Sequence, residues 1–350
     1  MNSIKEKSLG ISIWLFSLTI MTFLIIIIGG LTRLTESGLS MVDWRPLMGI
    51  FPPFTEESWK ILFQNYQKTP EYQIVNKNMS INDFKFIFWW EWFHRFFARC
   101  IGIVFIFPFI YFAFKKKISA RLFLTLLLVF IFGIFQAIVG WWMVKSGLSD
   151  NPYVSSYRLA FHLTNALIIF SILFWATLNS YFSKIPNDQL NNSIFIFFNL
   201  GIFFLFITII SGAFMAGTHA GNSFNTFPFM NGKLIPEGYY INEYKFLNIF
   251  ENTIAINFNH RWLASLTFIY IFSTIFYLLF FSKYKKNKLS LILVLLFVSL
   301  QFFLGILTLI YNVPISLASL HQTNSTLLLT FMLYAFHRHR SLNAKITGNI

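Results

Sequence analysis

Seven histidines punctuate this 350-residue chain, and four of them stand in two matched pairs. The first pair is His94 in "EWFHRFFA" (91–98) and His162 in "FHLTNA" (161–166); the second is His260 in "NFNHRWLA" (257–264) and His321 in "LHQTNS" (320–325). Each pair draws one imidazole from each of two apolar segments. Two imidazoles on facing helices can supply both axial ligands to a haem iron, since the macrocycle provides the rest. Arg95 and Arg261 directly follow a ligand candidate and are placed to meet haem propionates. No acid recurs beside His162 or His321, which argues against a carboxylate-rich metal site. Glu91 precedes His94 by three residues, whereas Asn257 holds the corresponding place before His260. A carboxyl group can exchange protons and an amide cannot. Glu91 is thus the proton-exchanging group that sets the first pair apart from the second. The competing reading is a surface ion pair with Arg95, four residues on, near a helix start.

The remaining polar groups read more plainly. His337 and His339 lie in "FHRHRS" and are expected in a solvated basic tail. His219 in "AGTHAGNS" has no histidine counterpart in the first half and reads as a loop residue. Gln136 and Gln301 read as interhelical hydrogen-bonding groups.

Long apolar helices must position these residues. The chain is 56% hydrophobic and 11% charged, against about 25% charged for a soluble domain. Eight stretches reach the roughly 20 residues needed to cross a bilayer: 11–32, 93–114, 122–144, 157–180, 193–215, 260–282, 289–311 and 317–336. The expected fold is all-α and polytopic, with eight transmembrane helices. The formal charge of +14 is unevenly spread. One set of alternate segments holds 14 Lys/Arg against Glu6 and Asp188, and the other holds 13 against 11 acids. That is the positive-inside pattern. It puts both termini in the cytoplasm and the loops 33–92 and 216–259 outside. It also speaks for membrane lipid, not nucleic acid, as the partner of the charge. The first apolar run lacks a small-residue cleavage site and reads as a retained span. Cys100 stands alone, so neither an intramolecular disulfide nor a thiolate cluster can form.

The chain also repeats itself. "HRFFA" returns as "HRWLA", "QAIVG" (136–140) as "QFFLG" (301–305), and "HLTN" as "HQTN", in the same order. "GGLTRLTESGLSMVDWRPLMG" (29–49) has a looser echo in "SGAFMAGTHAGNSFNTFPFMNG" (211–232). Duplication predicts two tandem four-helix bundles related by a pseudo-twofold axis along the membrane normal. The halves are 1–182 and 193–350, joined by a cytoplasmic linker at 183–192. In the first outer loop, "EESWKILFQNYQ" (56–67) has Trp59, Ile61, Leu62, Phe63 and Tyr66 near one helical face. It is expected on the membrane surface or capping the bundle.

Taken together, "GGLTRLTESGLSMVDWRP", "EWFHRFFAR", "FQAIVGWWMVKSGL", "FHLTNA", "GAFMAGTHAGNSFNTFP" and "NHRWLAS" resemble the haem A synthase family over essentially the whole chain. The resemblance implies conversion of haem O to haem A for cytochrome oxidase, a ring methyl becoming a formyl group through successive hydroxylations. It implies that haem b is the cofactor, held by His260 and His321, and that haem O is the substrate, held by His94 and His162. It implies a functional role for Glu91. Some relatives carry a cysteine pair in an outer loop; this chain does not, and so resembles the cysteine-free branch. The implied location is the bacterial inner membrane, ahead of the mitochondrial one. The implied partners are haem O, the haem O synthase and an unidentified electron donor; a homo-oligomer is compatible with the sequence. A bis-histidine cytochrome b that only transfers electrons is the alternative, although it has no need of the Glu91/Asn257 difference. A transporter built on parallel repeats leaves the histidine pairs unexplained. A haem O prenyltransferase would need Asp-rich diphosphate motifs, and an oxidase core would need copper-ligating histidines.

Overall fold

A computed structural model describes residues 9–43, 48–149, 151–182, 192–281 and 287–339. Most of the predicted linker, residues 183–191, lies outside them. The described chain is all-helical, with one isolated bridge between Met230 and Lys233. Its α-helices are α1 (Leu9–Leu34), α2 (Glu56–Tyr66), α3 (Pro70–Ile74), α4 (Ile81–Phe114), α5 (Ala120–Gly147), α6 (Ser156–Tyr181), α7 (Asn192–Gly217), α8 (Asn248–Glu251), α9 (Thr253–Phe280), α10 (Lys288–Ile310) and α11 (Ile315–His339). Helices satisfy their own backbone polar groups, which is why apolar runs in lipid take this form.

Seven of these helices are long and apolar enough to cross a membrane: α1, α4, α5, α6, α7, α9 and α10. The chain is thus built as a multi-pass membrane protein. α11, predicted as an eighth span, forms a helix of 25 residues but is much less apolar. Its stretch "SLHQTNST" (319–326) supplies the polar side chains responsible.

The chain packs as two compact units, Ile20–Phe170 and Met1–Thr19 with Ser171–Ile350. Within Ile20–Phe170, α4 begins twelve residues before the predicted start at 93. Its 34 residues span about 51 Å, well beyond a hydrocarbon core of about 30 Å. A Ser80/Asp83 capping box starts this helix. Thr55 caps α2, and Thr69 caps α3, whose first residue is Pro70. The predicted helix at 56–67 therefore forms. It buries Trp59 and Tyr66 against Phe84, Ile87 and Phe88 of the α4 extension, while Ile61 faces outward. Trp59 meets Phe88 edge-on at 5.0 Å.

In the other unit, α7 packs on α9, α9 on α10, α10 on α11 and α11 back on α7, closing a ring of four helices. The first residues of α1 and the last of α6 belong to this unit and are tied to each other by Ser12–Ser180 (2.7 Å) and Thr19–Thr177 (2.9 Å) hydroxyl pairs. Here the sequence expectation for His337 and His339 fails. α11 runs on through both residues, and His337 is only 1% exposed. Its Nε2 lies 3.1 Å from Asn179 Oδ1, and its ring packs edge-on against Trp175 at 5.2 Å. His339 Nε2 lies 3.3 Å from Ser290 Oγ. Packing of the helix end, not the basic character of its neighbours, decides their environment.

Candidate functional site

Within Ile20–Phe170, α4 carries His94 and α6 carries His162, close enough for a charge on one ring to act on the other. His260 on α9 and His321 on α11 are related in the same way in the second unit. Each of the four rings lies against a glycine on a neighbouring helix. A Cβ built on Gly29 would sit 3.4 Å from His94 Nε2, and one on Gly140 would sit 3.0 Å from His162 Cε1. The corresponding distances are 3.3 Å from Gly212 to His260 Cε1 and 2.9 Å from Gly305 to His321 Cε1. Glycine in a helix interior costs about 1 kcal/mol relative to alanine. At Gly140 and Gly305, and more mildly at Gly212, the missing Cβ is what admits the imidazole, whereas at Gly29 a Cβ would be in ordinary contact with the ring.

The residues sharing the echoed motifs touch one another. Asn165 Nδ2 donates to Gln136 Oε1 at 2.6 Å and to the Phe132 carbonyl at 3.1 Å, and Gln136 Nε2 lies 3.1 Å from His162 Nε2. Asn324 Nδ2 donates to Gln301 Oε1 at 2.8 Å and to the Phe297 carbonyl at 3.0 Å, and Gln301 Nε2 lies 3.2 and 3.3 Å from the two ring nitrogens of His321. His260 instead meets Ser211, whose Oγ is 2.7 Å from Nδ1. The buried His162 Nδ1 makes no hydrogen bond.

Glu91 is not at the surface. Its side chain is buried, 2% exposed, and the exposed ion pair considered from sequence gives way to an enclosed one. Arg95 donates to Oε1 at 2.5 Å, while Ser40 Oγ and the Met41 N–H donate to Oε2 at 2.6 and 2.7 Å. Arg95 also donates to the Met41 carbonyl at 3.2 Å. Glu91 and Arg95 together pin the chain that leaves α1. Asn257 does the matching work in the second unit, fully buried: its Nδ2 donates to the Ala220 carbonyl at 2.7 Å and its Oδ1 accepts from Arg261 Nε at 2.7 Å. Arg261 also donates to the Thr226 and Phe224 carbonyls at 2.7 and 2.6 Å. The clamp is common to both units; the carboxylate is not. His219 takes a left-handed conformation (φ 54°) at a short turn beside Ala220, the loop placement expected of it.

One acid escaped the sequence reading. Glu71, on α3 outside the spans, is 5% exposed. Tyr66, itself fully buried, donates to its Oε2 at 2.9 Å, and Asn76 donates to the Tyr66 oxygen at 2.8 Å. Burial pushes the Glu71 carboxyl up to about 8; the charges of Glu91 and Glu36 add to this, while the Tyr66 bond and Arg33 oppose it. "TPEYQ" gives no periodic signal that its acid is enclosed, because enclosure requires α2 to fold over it.

Among the described residues no group of three or more His, Cys, Asp or Glu side chains could hold a bare metal ion. Two-imidazole sites suit an iron that brings its own macrocycle. Glycine-backed rings and the unpaired His162 Nδ1 fit such a group.

Residues 12–333 match the family model described as cytochrome oxidase assembly protein, a span containing all four histidines. A haem A synthase of Nitrosomonas eutropha is 40% identical over 341 residues, covering 94% of this chain and 93% of its own. One from Nitrosospira multiformis is 41% identical, covering 94% and 93%. One from Flavobacterium johnsoniae is 39% identical, covering 95% and 99%.

Proposed function

The chain belongs to the haem A synthase family of cytochrome oxidase assembly proteins, and from that premise we propose that it oxidises the C8 methyl of haem O to a formyl group by successive hydroxylations. What carries the reading is that the similarity runs through both histidine-bearing units instead of stopping at one. His94 and His162 would hold the substrate haem O; His260 and His321 would hold haem b as the resident cofactor. Bound haem iron supplies the redox chemistry that amino-acid side chains lack.

The chain's own residues supply position, charge and protons. Gly140 leaves room for His162, and Gly212 and Gly305 for the second pair. Glu91 is the catalytic acid of this proposal. It is three residues from His94, and three donors, from Arg95, Ser40 and Met41, hold its carboxylate in place. Arg95 and Arg261, whose donors meet backbone carbonyls and the Glu91 or Asn257 side chain, stand next to the ligands as charge partners for propionates. α11 is proposed as an eighth span, completing two tandem four-helix repeats related by a pseudo-twofold axis. The sequence echoes and the positive-inside pattern support this arrangement, an inner-membrane location and cytoplasmic termini. Haem O synthase as the supplier of substrate, a separate electron donor and a homo-oligomer belong to the same proposal.

The test is extraction of the haems from the purified protein, followed by chromatography and mass spectrometry. Haem B together with haem O, haem A or hydroxylated intermediates is expected. Haem B alone, with no haem A produced when haem O is supplied, would leave an electron-transfer cytochrome. His260→Ala and His321→Ala should each remove the low-spin haem b spectrum. His94→Ala and His162→Ala should stop haem A formation while sparing much of that spectrum.

A further inference from the structure

The two histidine pairs are not held alike, and the difference lies in one hydroxyl. Ser211 is on α7 and His260 on α9, within the same unit. Ser211 Oγ stands 2.7 Å from His260 Nδ1 and donates to the Thr208 carbonyl at 2.8 Å. The two helices do not need this contact in order to join. Three residues before Ser211, the Thr208 hydroxyl already meets the Thr267 hydroxyl across the same interface at 2.7 Å. In the sequence echo between the halves, Gly29 stands where Ser211 does. The His94 ring rests against Gly29 itself, its Nε2 3.4 Å from where a Cβ would be, and glycine has no side chain to accept a proton from it.

The direction of the Ser211–His260 bond follows from its other end. A backbone carbonyl can only accept. Two oxygens 2.8 Å apart have a proton between them, since lone pairs alone would repel at that distance. The Ser211 proton is therefore committed to Thr208. What Oγ turns to the ring is a lone pair, and Nδ1 must meet it with an N–H. A neutral imidazole carries one such proton, so Nε2 keeps its lone pair. That is the state an iron ligand needs. One ring nitrogen is bare, and the other donates to an acceptor that fixes the plane of the ring and makes it a stronger base. Gly212 bounds the same ring on another side, with Cε1 3.3 Å from where a Cβ would be.

We propose that Ser211 is a positioning residue of the second pair, accepting the Nδ1–H of His260 and so presenting Nε2 to the iron of the resident haem before that haem arrives. This deepens the functional reading and rests on it. A resident cofactor has to stay, whereas a substrate must be taken in and its product let go. The hydroxyl gives the second pair a ring aimed in advance; Gly29, at the matching place, gives the first pair no such hold. Partners that orient a ligand in this way typically contribute about 10–100-fold to metal affinity.

The test uses purified full-length protein, stripped of haem and titrated with haem B. The signal of the second pair is the part of the spectrum that His260→Ala abolishes. Ser211→Ala removes the acceptor. Thr267→Val removes the neighbouring hydroxyl bond between the same two helices and leaves the ring alone, so it is the control for helix joining. Ser211→Ala should bind haem B at the second pair about 10-fold or more weakly and release it faster to a scavenging apoprotein. Its low-spin ferric g-values should shift, and its midpoint potential should rise, because a less basic ligand favours the ferric state less. Thr267→Val should keep wild-type affinity, g-values and potential, whatever its unfolding temperature. A second measurement does not depend on the Ser211 variant folding. Nitrogen NMR of isotope-labelled histidine in the haem-free wild type, with His260 assigned by its loss in His260→Ala, should show Nδ1 protonated and Nε2 bare. Wild-type affinity, g-values and potential in Ser211→Ala, equal losses in Thr267→Val, or a His260 ring protonated on Nε2 would overturn the inference while leaving the haem site standing. A wild-type protein that takes up no haem B would overturn the functional reading first, and this inference with it.

Discussion

Replacing Gly305 with alanine sets two known effects against each other. Alanine favours a helix over glycine by about 1 kcal/mol. The new Cβ, however, would lie 2.9 Å from His321 Cε1, where unstrained carbons stay about 3.5–4.0 Å apart. The ring must retreat by roughly 0.6 Å or more, and forced overpacking of this kind costs about 1–3 kcal/mol. The haem-free protein should therefore change by no more than about 2 kcal/mol in stability, while a displaced imidazole loses its aim. Haem binding should fall by at least 10-fold, the lower end of what misplaced ligand support costs. Gly140→Ala, with 3.0 Å to His162 Cε1, should behave alike. Gly212→Ala and Gly29→Ala, at 3.3 and 3.4 Å, should lose distinctly less. Gly133→Ala, also on α5, is the control: its Cβ would meet nothing within 4 Å, so only the helix gain remains. The assay is haem titration followed by the Soret band, beside thermal unfolding of the haem-free proteins. If Gly305→Ala bound haem as the wild type does, or if Gly133→Ala lost haem as severely, ring confinement by glycine would be refuted.

Glu91→Gln should lower haem A output by about 10²-fold, the order for a lost acid–base group, with the haem at His260 and His321 retained; near-normal output would leave Glu91 a clamp residue only. The raised Glu71 carboxyl makes the folded protein hold a proton that the unfolded chain releases, so stability should decline as pH rises from about 4 towards about 8. Glu71→Gln should flatten that slope in pH-dependent melting; an unchanged slope would place the proton elsewhere. His337→Leu should cost about 0.5–1.5 kcal/mol, by removing the hydrogen bond between the buried ring and the exposed Asn179 side chain. Haem content should not change in that variant, and haem loss there would contradict the separation of His337 from the ligand pairs.

Much of the fold was legible because lipid simplifies the code: apolar runs of sufficient length become helices, and the ends of the spans followed within a few residues in most cases. The exceptions were α9, which starts seven residues before the expected 260, and above all α4, where "INDFKFIFWWEW" (81–92) mixes charge with aromatics and reads as loop from hydropathy alone. Its helical form depends on the Ser80/Asp83 cap and on packing under α2. The histidine pairs were visible because duplication wrote them twice. The Gln–Asn–His contacts were not, since neither periodicity nor spacing tells which faces of two helices meet. His337 misled for a related reason: Arg338 beside it in sequence says nothing about Asn179 and Trp175 beside it in space.

The two clamps leave the protein electrically lopsided. Arg95 closes on a carboxylate, so the first clamp is neutral overall. Arg261 closes on an amide and two carbonyls, none of which carries charge. A full positive charge therefore stays one residue from His260. At about 10 Å in an effective dielectric of about 20, it stabilises an added electron by about 1.7 kcal/mol, or roughly 70 mV for a one-electron couple. Under the proposed assignment, a redox centre at His260 and His321 would be easier to reduce than it would be beside a neutral clamp. Exchanging one acid for one amide thus changes the charge held beside a histidine pair without any change in the pair itself.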